Sequence, residues 1–549
     1  MIGPTLRKKA DMKQTLMIDA WWSQVKPSRI LHLRPSRRVW VIAFIILASV
    51  IVRAPYLGDP AADYDQQLYS VIGQNWLAGE LPYRDLWDRK PPGLFALFAA
   101  MHAIGGASSL AYEIPGLLCT IAAALMIYSM AQRIGTSLGA VTVTLLFLLN
   151  IPLFIIHLGQ SETFLMPILL GQLMLLRAVF ACDDAEKVHR ILCIIALLGG
   201  VTLQIKYSVF PFCTLFGVLA AWRLWQLNIF VPRILLNLTL YGFLGLLPTL
   251  LFVAYFAAHG ELETFMFANF VSIFQRGELD PDLVEDFGGH IAVASFPLLI
   301  FAALGWQAAL RARDQIDVQL FALTTAFAAA GCVSLLMLGA PFVHYFGPLL
   351  PFICLMAASF FSFHPSHKLF AGVAIGLAVV CASFDEQLER TLSHRNAIPA
   401  LAAAIDAHVP DEDCLFIFDG PTVLYAQTGN CIATRLVFPD HLTSPRERSA
   451  MAVDPVDETA RVMAERPGAI VISDGLGGPR FIAETGQIVR LAIEQDYVLA
   501  ETTFLYPRQI ELYIRADLAP ASPAGRSASP CVIRYGSPCQ FFTSLNDQD

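Results

Sequence analysis

The sequence predicts an α-helical polytopic membrane protein of about eleven transmembrane helices, with a small α/β domain at its C-terminal end. Three observations predict it. Hydrophobic residues make up 56% of the chain and charged residues only 15%, where a soluble protein carries roughly a quarter charged. The apolar residues run in long unbroken stretches rather than in alternation. From Asp385 onward charge returns, and short strand-like runs alternate with helical ones.

The elements follow in order. Lys8, Lys9, Lys13, Lys26, Arg29, Arg34, Arg37 and Arg38 precede the first apolar run, Val39 to Val52. Basic residues before a span place that end in the cytoplasm. The run lies too deep for a cleavable leader and lacks a small-residue cleavage site, so it reads as a retained anchor. Further spans fall near 110–132, 138–156, 163–181, 190–207, 209–228, 234–257, 291–310, 317–338, 346–362 and 368–384. The stretch 94–105 is too short to cross and reads as a re-entrant or interfacial helix.

Loop charges agree with this alternation. The inner ends carry Arg133; Lys187 and Arg190; Arg223 and Arg233; Arg311 and Arg313; and His364, His367 and Lys368, whereas the outer loops carry mainly Asp and Glu. An odd number of spans puts the C-terminus outside. The expected units are a basic cytoplasmic segment 1–38, a transmembrane domain 39–384 with its first outer loop at 54–109, an extracytoplasmic α/β domain 385–518 and a poorly ordered tail 519–549. In the outer domain, strands are expected at Cys414–Phe418, Ala469–Ser473 and Ile510–Ile514, and helices at Ala397–His408 and Asp457–Glu465. An oxidising compartment would permit Cys414–Cys431 and Cys531–Cys539 disulfides; free thiols are the alternative. Trp21 and Trp22 read as an interfacial belt, and Asp474 to Gly478 as a turn without a phosphate-loop pattern. No basic patch suggests nucleic acid.

The first outer loop is the richest in chemistry. Asp63, Asp65, Asp85, Asp88, Arg89 and Lys90 gather there, with Pro91-Pro92-Gly93 as a brace. The same predicted face receives His157 and Glu162, Lys206, Arg276, and His344-Tyr345. A charge at the edge of a span is costly, which singles out Lys206, although snorkelling to the interface is the plainer reading. The plain alternatives are a solvated loop acid or a helix cap for Asp65, an interfacial anchor for Lys90 and an ordinary loop charge for Arg276.

The order Asp65-Gln-Gln-Leu-Tyr69, Gly79-Glu-Leu-Pro-Tyr83-Arg-Asp85, Lys90-Pro91-Pro92-Gly93 resembles the first outer loop of the GT-C superfamily, polytopic glycosyltransferases that use polyprenyl-phosphate sugars. The groups it most resembles are the aminoarabinose transferases, the protein O-mannosyltransferase-like enzymes and the bacterial family that modifies lipopolysaccharide cores. Glu162, Lys206 after Gly199-Gly200, Arg276, and His344-Tyr345-Phe-Gly-Pro348-Leu-Leu-Pro351 resemble later landmarks, over roughly residues 40 to 385. One departure stands out: Gln66 occupies the second position of the family's acidic pair.

The resemblance implies a bacterial inner-membrane hexosyl- or pentosyltransferase working on the outer face. It would move a sugar, with inversion, from a polyprenyl-phosphate donor to a hydroxyl of a lipid, glycan or protein. Asp65 would be the general base, with Asp63 as fallback. Lys90, Arg276, Lys206 and Tyr345 would hold the donor phosphate. Glu162, Asp88 and His344 would position the acceptor or a cation. No cofactor is required by this reading; a divalent metal remains open, but His157 and Glu162 without fixed ligand spacing are poor evidence for one. A secondary transporter is the competing class, against which stand the lack of an internal repeat and the gathering of charge at one face. A membrane protein with an outer binding domain would leave the Asp65–Lys90 loop unexplained.

Overall fold

The computed structural model describes residues 37–337, 341–474 and 481–519. The basic residues from Lys8 to Arg34, Trp21-Trp22, Gly475 to Gly478, the Cys531–Cys539 pair and the tail from Pro520 lie outside the described residues.

Every predicted span is a helix, but eight rather than eleven are both long and apolar enough to cross a membrane. These are Arg37–Tyr56, Leu110–Ile134, Ser161–Phe180, Tyr207–Gln226, Val231–Ala258, Pro281–Arg311, Val318–Leu336 and His367–His408. The other three fall short for physical reasons. Ser137–Leu153 has 17 residues, roughly 26 Å of helix against about 30 Å of hydrocarbon. Ala185–Leu203 begins with Glu186, Lys187 and Arg190. The third is divided into Leu350–Ala357 and Phe360–Phe363. The short helix expected at 94–105 spans Pro92–Gly105. Helices approach closely where side chains are small: a Cβ on Gly200 would lie 2.2 Å from the Gly245 carbonyl oxygen, the packing device expected where lipid offers no hydrophobic drive.

The two ends of the bundle differ. Glu162 opens its helix, Lys206 follows the end of Ala185–Leu203, and Tyr345 precedes Leu350, so all three sit at one end. The other end is tied by Arg177 to Asp317 at 2.8 Å and by Arg223 to Asp183 at 2.8 Å.

The helix from His367 breaks at Ser383 (φ 44°) and continues as the polar helix Phe384–His408 into the C-terminal domain. That domain holds one mixed sheet, β1 Leu415–Ile417, β2 Ala469–Ser473, β3 Tyr497–Leu505 and β4 Arg508–Arg515, in the order β1-β2-β4-β3. β1 pairs with β2 in parallel, and the other pairs are antiparallel. Cys414 and Cys431 are disulfide-bonded. The domain docks on the first loop. His394 meets Asp59 at 2.7 Å, the Val423 amide donates to Gln67 Oε1 at 3.1 Å, the Trp87 amide donates to the Arg435 carbonyl at 2.8 Å, and Arg435 Nη2 donates to the Tyr83 carbonyl at 2.6 Å.

Candidate active site

The first loop folds around a helix, Tyr64–Leu77, that periodicity did not reveal. Asp63, not Asp65, is its N-cap: Asp63 Oδ1 accepts from the Asp65 amide at 2.8 Å. Asp65 therefore sits in the first turn, where the helix dipole favours a carboxylate. Lys90 donates to both oxygens of Asp65 at 3.2 Å and to the Tyr69 hydroxyl at 2.7 Å. Tyr69 lies four residues beyond Asp65, hence on the same helix face, a spacing that could have pointed to it in the sequence.

The Lys90-Pro-Pro-Gly93 segment is built to hold this lysine. Its carbonyl accepts from the Tyr83 hydroxyl at 2.8 Å. Pro92 opens the Pro92–Gly105 helix, where its fixed φ suits the first position. Gly93 lies against Gln204; a Cβ there would be 2.4 Å from the Gln204 Cβ and 2.8 Å from its carbonyl oxygen. That close approach brings Lys90 beside the Gln204–Lys206 turn. Burial works against ionisation of Asp65, but the charges of Lys90 and Lys206 outweigh it and hold the carboxyl below its usual range. Asp63 moves the other way, raised by burial and by the charge of Asp65.

A second pair stands beside the first. Lys206 is ion-paired with Glu162 and lies 4.0 Å above the Tyr345 ring. Ser161 Oγ donates to the other Glu162 oxygen at 2.9 Å. Gly347 packs on the Glu162 side chain, leaving 2.8 Å for a Cβ. The two pairs differ in access. The Glu162 side chain is 0% exposed and Lys206 10%, whereas Asp65 and Lys90 are 18% and 24% exposed. The first pair can meet a substrate; the second forms a closed wall. His344 is held neutral, its pKa lowered to about 4 chiefly by burial.

The remaining expected residues divide. Asp88 is buried, accepts from the Arg89 amide at 2.6 Å through Oδ1 and leaves Oδ2 without a hydrogen bond. Asp85 forms a surface pair with Arg84. Arg276 is directed to Glu447 of the C-terminal domain, which also faces Arg89. Glu447 had no signal in the sequence. It lies 171 residues from Arg276 in a stretch of alternating charge. Gln66 is buried and its Oε1 accepts from the Gly159 amide at 2.9 Å, so the departure from the family pattern ties the first loop to the second.

Among the described residues no three His, Cys, Asp or Glu side chains are grouped to hold a metal ion. Asp65 and Glu162 are each committed to a lysine.

No family model and no curated protein sequence matches the chain. Solved structures do. ArnT from Cupriavidus metallidurans in the apo state matches at a TM-score of 0.62 with 14% identity, over 89% of this chain and 100% of that one. The chain shares the fold of ArnT. ArnT bound to undecaprenyl phosphate matches at 0.56 with 14% identity over the same shares. Archaeal oligosaccharyltransferase AglB from Archaeoglobus fulgidus, in complex with an inhibitory peptide and a dolichol-phosphate, matches at 0.50 with 11% identity over 84% of this chain and 73% of that one.

Proposed function

We propose that this protein transfers a sugar from a polyprenyl-phosphate donor to an acceptor hydroxyl at the extracytoplasmic face of a bacterial inner membrane. The observation that carries the reading is the reachable Asp65–Lys90 pair at one end of a GT-C bundle. Undecaprenyl phosphate on ArnT and dolichol-phosphate on AglB support a lipid-phosphate donor.

In this reading Lys90 and Arg276 neutralise the donor phosphate, Lys as a point charge and Arg through paired donors. Tyr345 lines the approach, and His344, neutral and half-buried, can bond the acceptor. Lys206 acts through Glu162, keeping the wall behind Tyr345 in place. Asp88 supports the loop from behind. Asp65 accepts the acceptor's proton, the acceptor oxygen bonds to the anomeric carbon, and the bond from that carbon to the phosphate oxygen breaks. The lipid phosphate leaves as a stable anion, with inversion.

An empty-site Asp65 held low by Lys90 is a weak base. Donor binding corrects this, because the phosphate competes for Lys90 and releases the carboxylate just where the acceptor arrives. The acceptor is a lipid, glycan or protein hydroxyl. The test is accumulation: cells lacking the protein should build up a polyprenyl-phosphate sugar and lose one envelope glycan, and both should revert on complementation. Unchanged lipid-linked sugar pools would contradict the proposal.

A further inference from the structure

Arg276 comes to the site from a short turn, Ser272–Gln275, yet its orientation is set by a different part of the chain. Glu447 Oε1 accepts from Arg276 Nε at 2.9 Å and also from Nη2. The backbones are clamped beside it: the Gly277 amide donates to the Arg446 carbonyl at 2.9 Å, and Arg446 Nε donates to the Gly277 carbonyl at 3.2 Å. Glu447 Oε2 faces Arg89 Nη1 as an ion pair, at an angle that makes no hydrogen bond. The Glu447 side chain is 5% exposed and that of Arg89 9%. One carboxylate of the C-terminal domain thus fixes two guanidinium groups, one of them next to Lys90.

The edge used matters. Glu447 occupies the Nε–Nη2 side of Arg276 and leaves Nη1 without a hydrogen bond among the described residues. A planar guanidinium held along one edge presents the adjoining edge in a fixed direction, suited to a tetrahedral anion. We propose that Glu447 is a positioning residue that completes the donor-phosphate site, so that the C-terminal domain serves lipid-phosphate binding. The inference rests on the lipid-phosphate reading of Lys90 and Arg276.

The sign of one substitution separates positioning from mere charge. A carboxylate near an anion site repels the anion, so if Glu447 only added charge, Glu447→Gln would tighten phosphate binding. Positioning requires the opposite. The probe is undecaprenyl phosphate, without sugar, bound by the full-length protein in nanodiscs. Glu447→Gln should weaken binding about tenfold, the cost of losing one charge-assisted contact. Arg276→Ala should weaken it at least as much, and the double variant should be no weaker than Arg276→Ala alone. Glu447→Asp, which keeps the charge one methylene short, should fall between wild type and Glu447→Gln and covers the case in which the amide variant does not fold. Arg84→Ala, at the surface pair, should bind as wild type does. In turnover the loss should appear in the donor KM and leave kcat nearly constant. Equal or tighter binding by Glu447→Gln, or losses that multiply in the double variant, would overturn the inference. Wild-type binding by both Lys90→Ala and Arg276→Ala would overturn the lipid-phosphate reading, and this inference with it.

Discussion

Replacing Lys206 by Met tests the distinction between the closed pair and the open one. Glu162 is 0% exposed, and Lys206 is its only charged partner among the described residues. Without it, the carboxylate keeps the Ser161 hydroxyl at 2.9 Å and loses its counter-charge in a site that water does not reach. Breaking a buried pair from one side costs about 3–5 kcal/mol. Loss of the contact with the Tyr345 ring adds about 0.5–1 kcal/mol. Glu162→Gln combined with Lys206→Met removes both charges and nearly conserves volume, so it should regain most of that loss and end within about 1.5 kcal/mol of wild type. Glu162→Gln alone should lie between, since Lys206 retains some access to solvent. The assay is reversible unfolding of the purified protein in mixed micelles, followed by tryptophan fluorescence, as a double-mutant cycle. Lys206→Met within about 1 kcal/mol of wild type, or a double variant as unstable as Lys206→Met, would refute the reasoning.

Other outcomes follow from the same geometry. Asp65 is held low in the empty site by Lys90, so the acid limb of kcat/KM should lie below that of kcat, because donor binding draws Lys90 away; coincident limbs would contradict the exchange. Glu447 is lowered to about 2, burial being outweighed by Arg89 and Arg276, so the stability it contributes is present above the unfolded carboxyl range and lost as pH falls toward 2. Glu447→Gln should therefore flatten the unfolding midpoint between about pH 4 and 2. Gly93→Ala must displace Gln204, including its backbone, and should cost about 1–3 kcal/mol of stability together with most of the transfer activity, read by unfolding and by product formation. In cells, Cys414 and Cys431 should resist maleimide until reductant is added, and Cys414→Ser should lose about 3 kcal/mol; free labelling would contradict an oxidising location for this domain.

The legible parts of this protein are those governed by local pattern. Long apolar runs marked every span because each helix buries its own backbone hydrogen bonds in lipid and needs only length and apolarity. Lys206 stood out because a charge at a span edge demands a partner, and Glu162 supplies it. Asp65 and Lys90, 25 residues apart, were legible as one polar loop. Contacts that depend on tertiary meeting were not. Asp63 took the capping role open to Asp65, its extended backbone (φ −158°, ψ 140°) leading into the helix. Arg276 found Glu447 across 171 residues, and no periodicity encodes that meeting. β3 escaped notice because Glu501, Thr502 and Thr503 interrupt its apolar alternation, its pairing being secured by β4. Gln66 looked like a lost acid, while its amide oxygen joins the first two loops at the Gly159 amide.

The central claim is that Asp65 is the base and Lys90 its phosphate-seeking partner. The most direct test is transfer of sugar from a lipid-linked donor in membranes carrying wild type or Asp65→Asn at matched protein levels. A positioned base contributes roughly 10²–10⁴-fold, so Asp65→Asn should lose at least about a hundredfold in rate while still binding undecaprenyl phosphate. Wild-type transfer by Asp65→Asn would contradict the account.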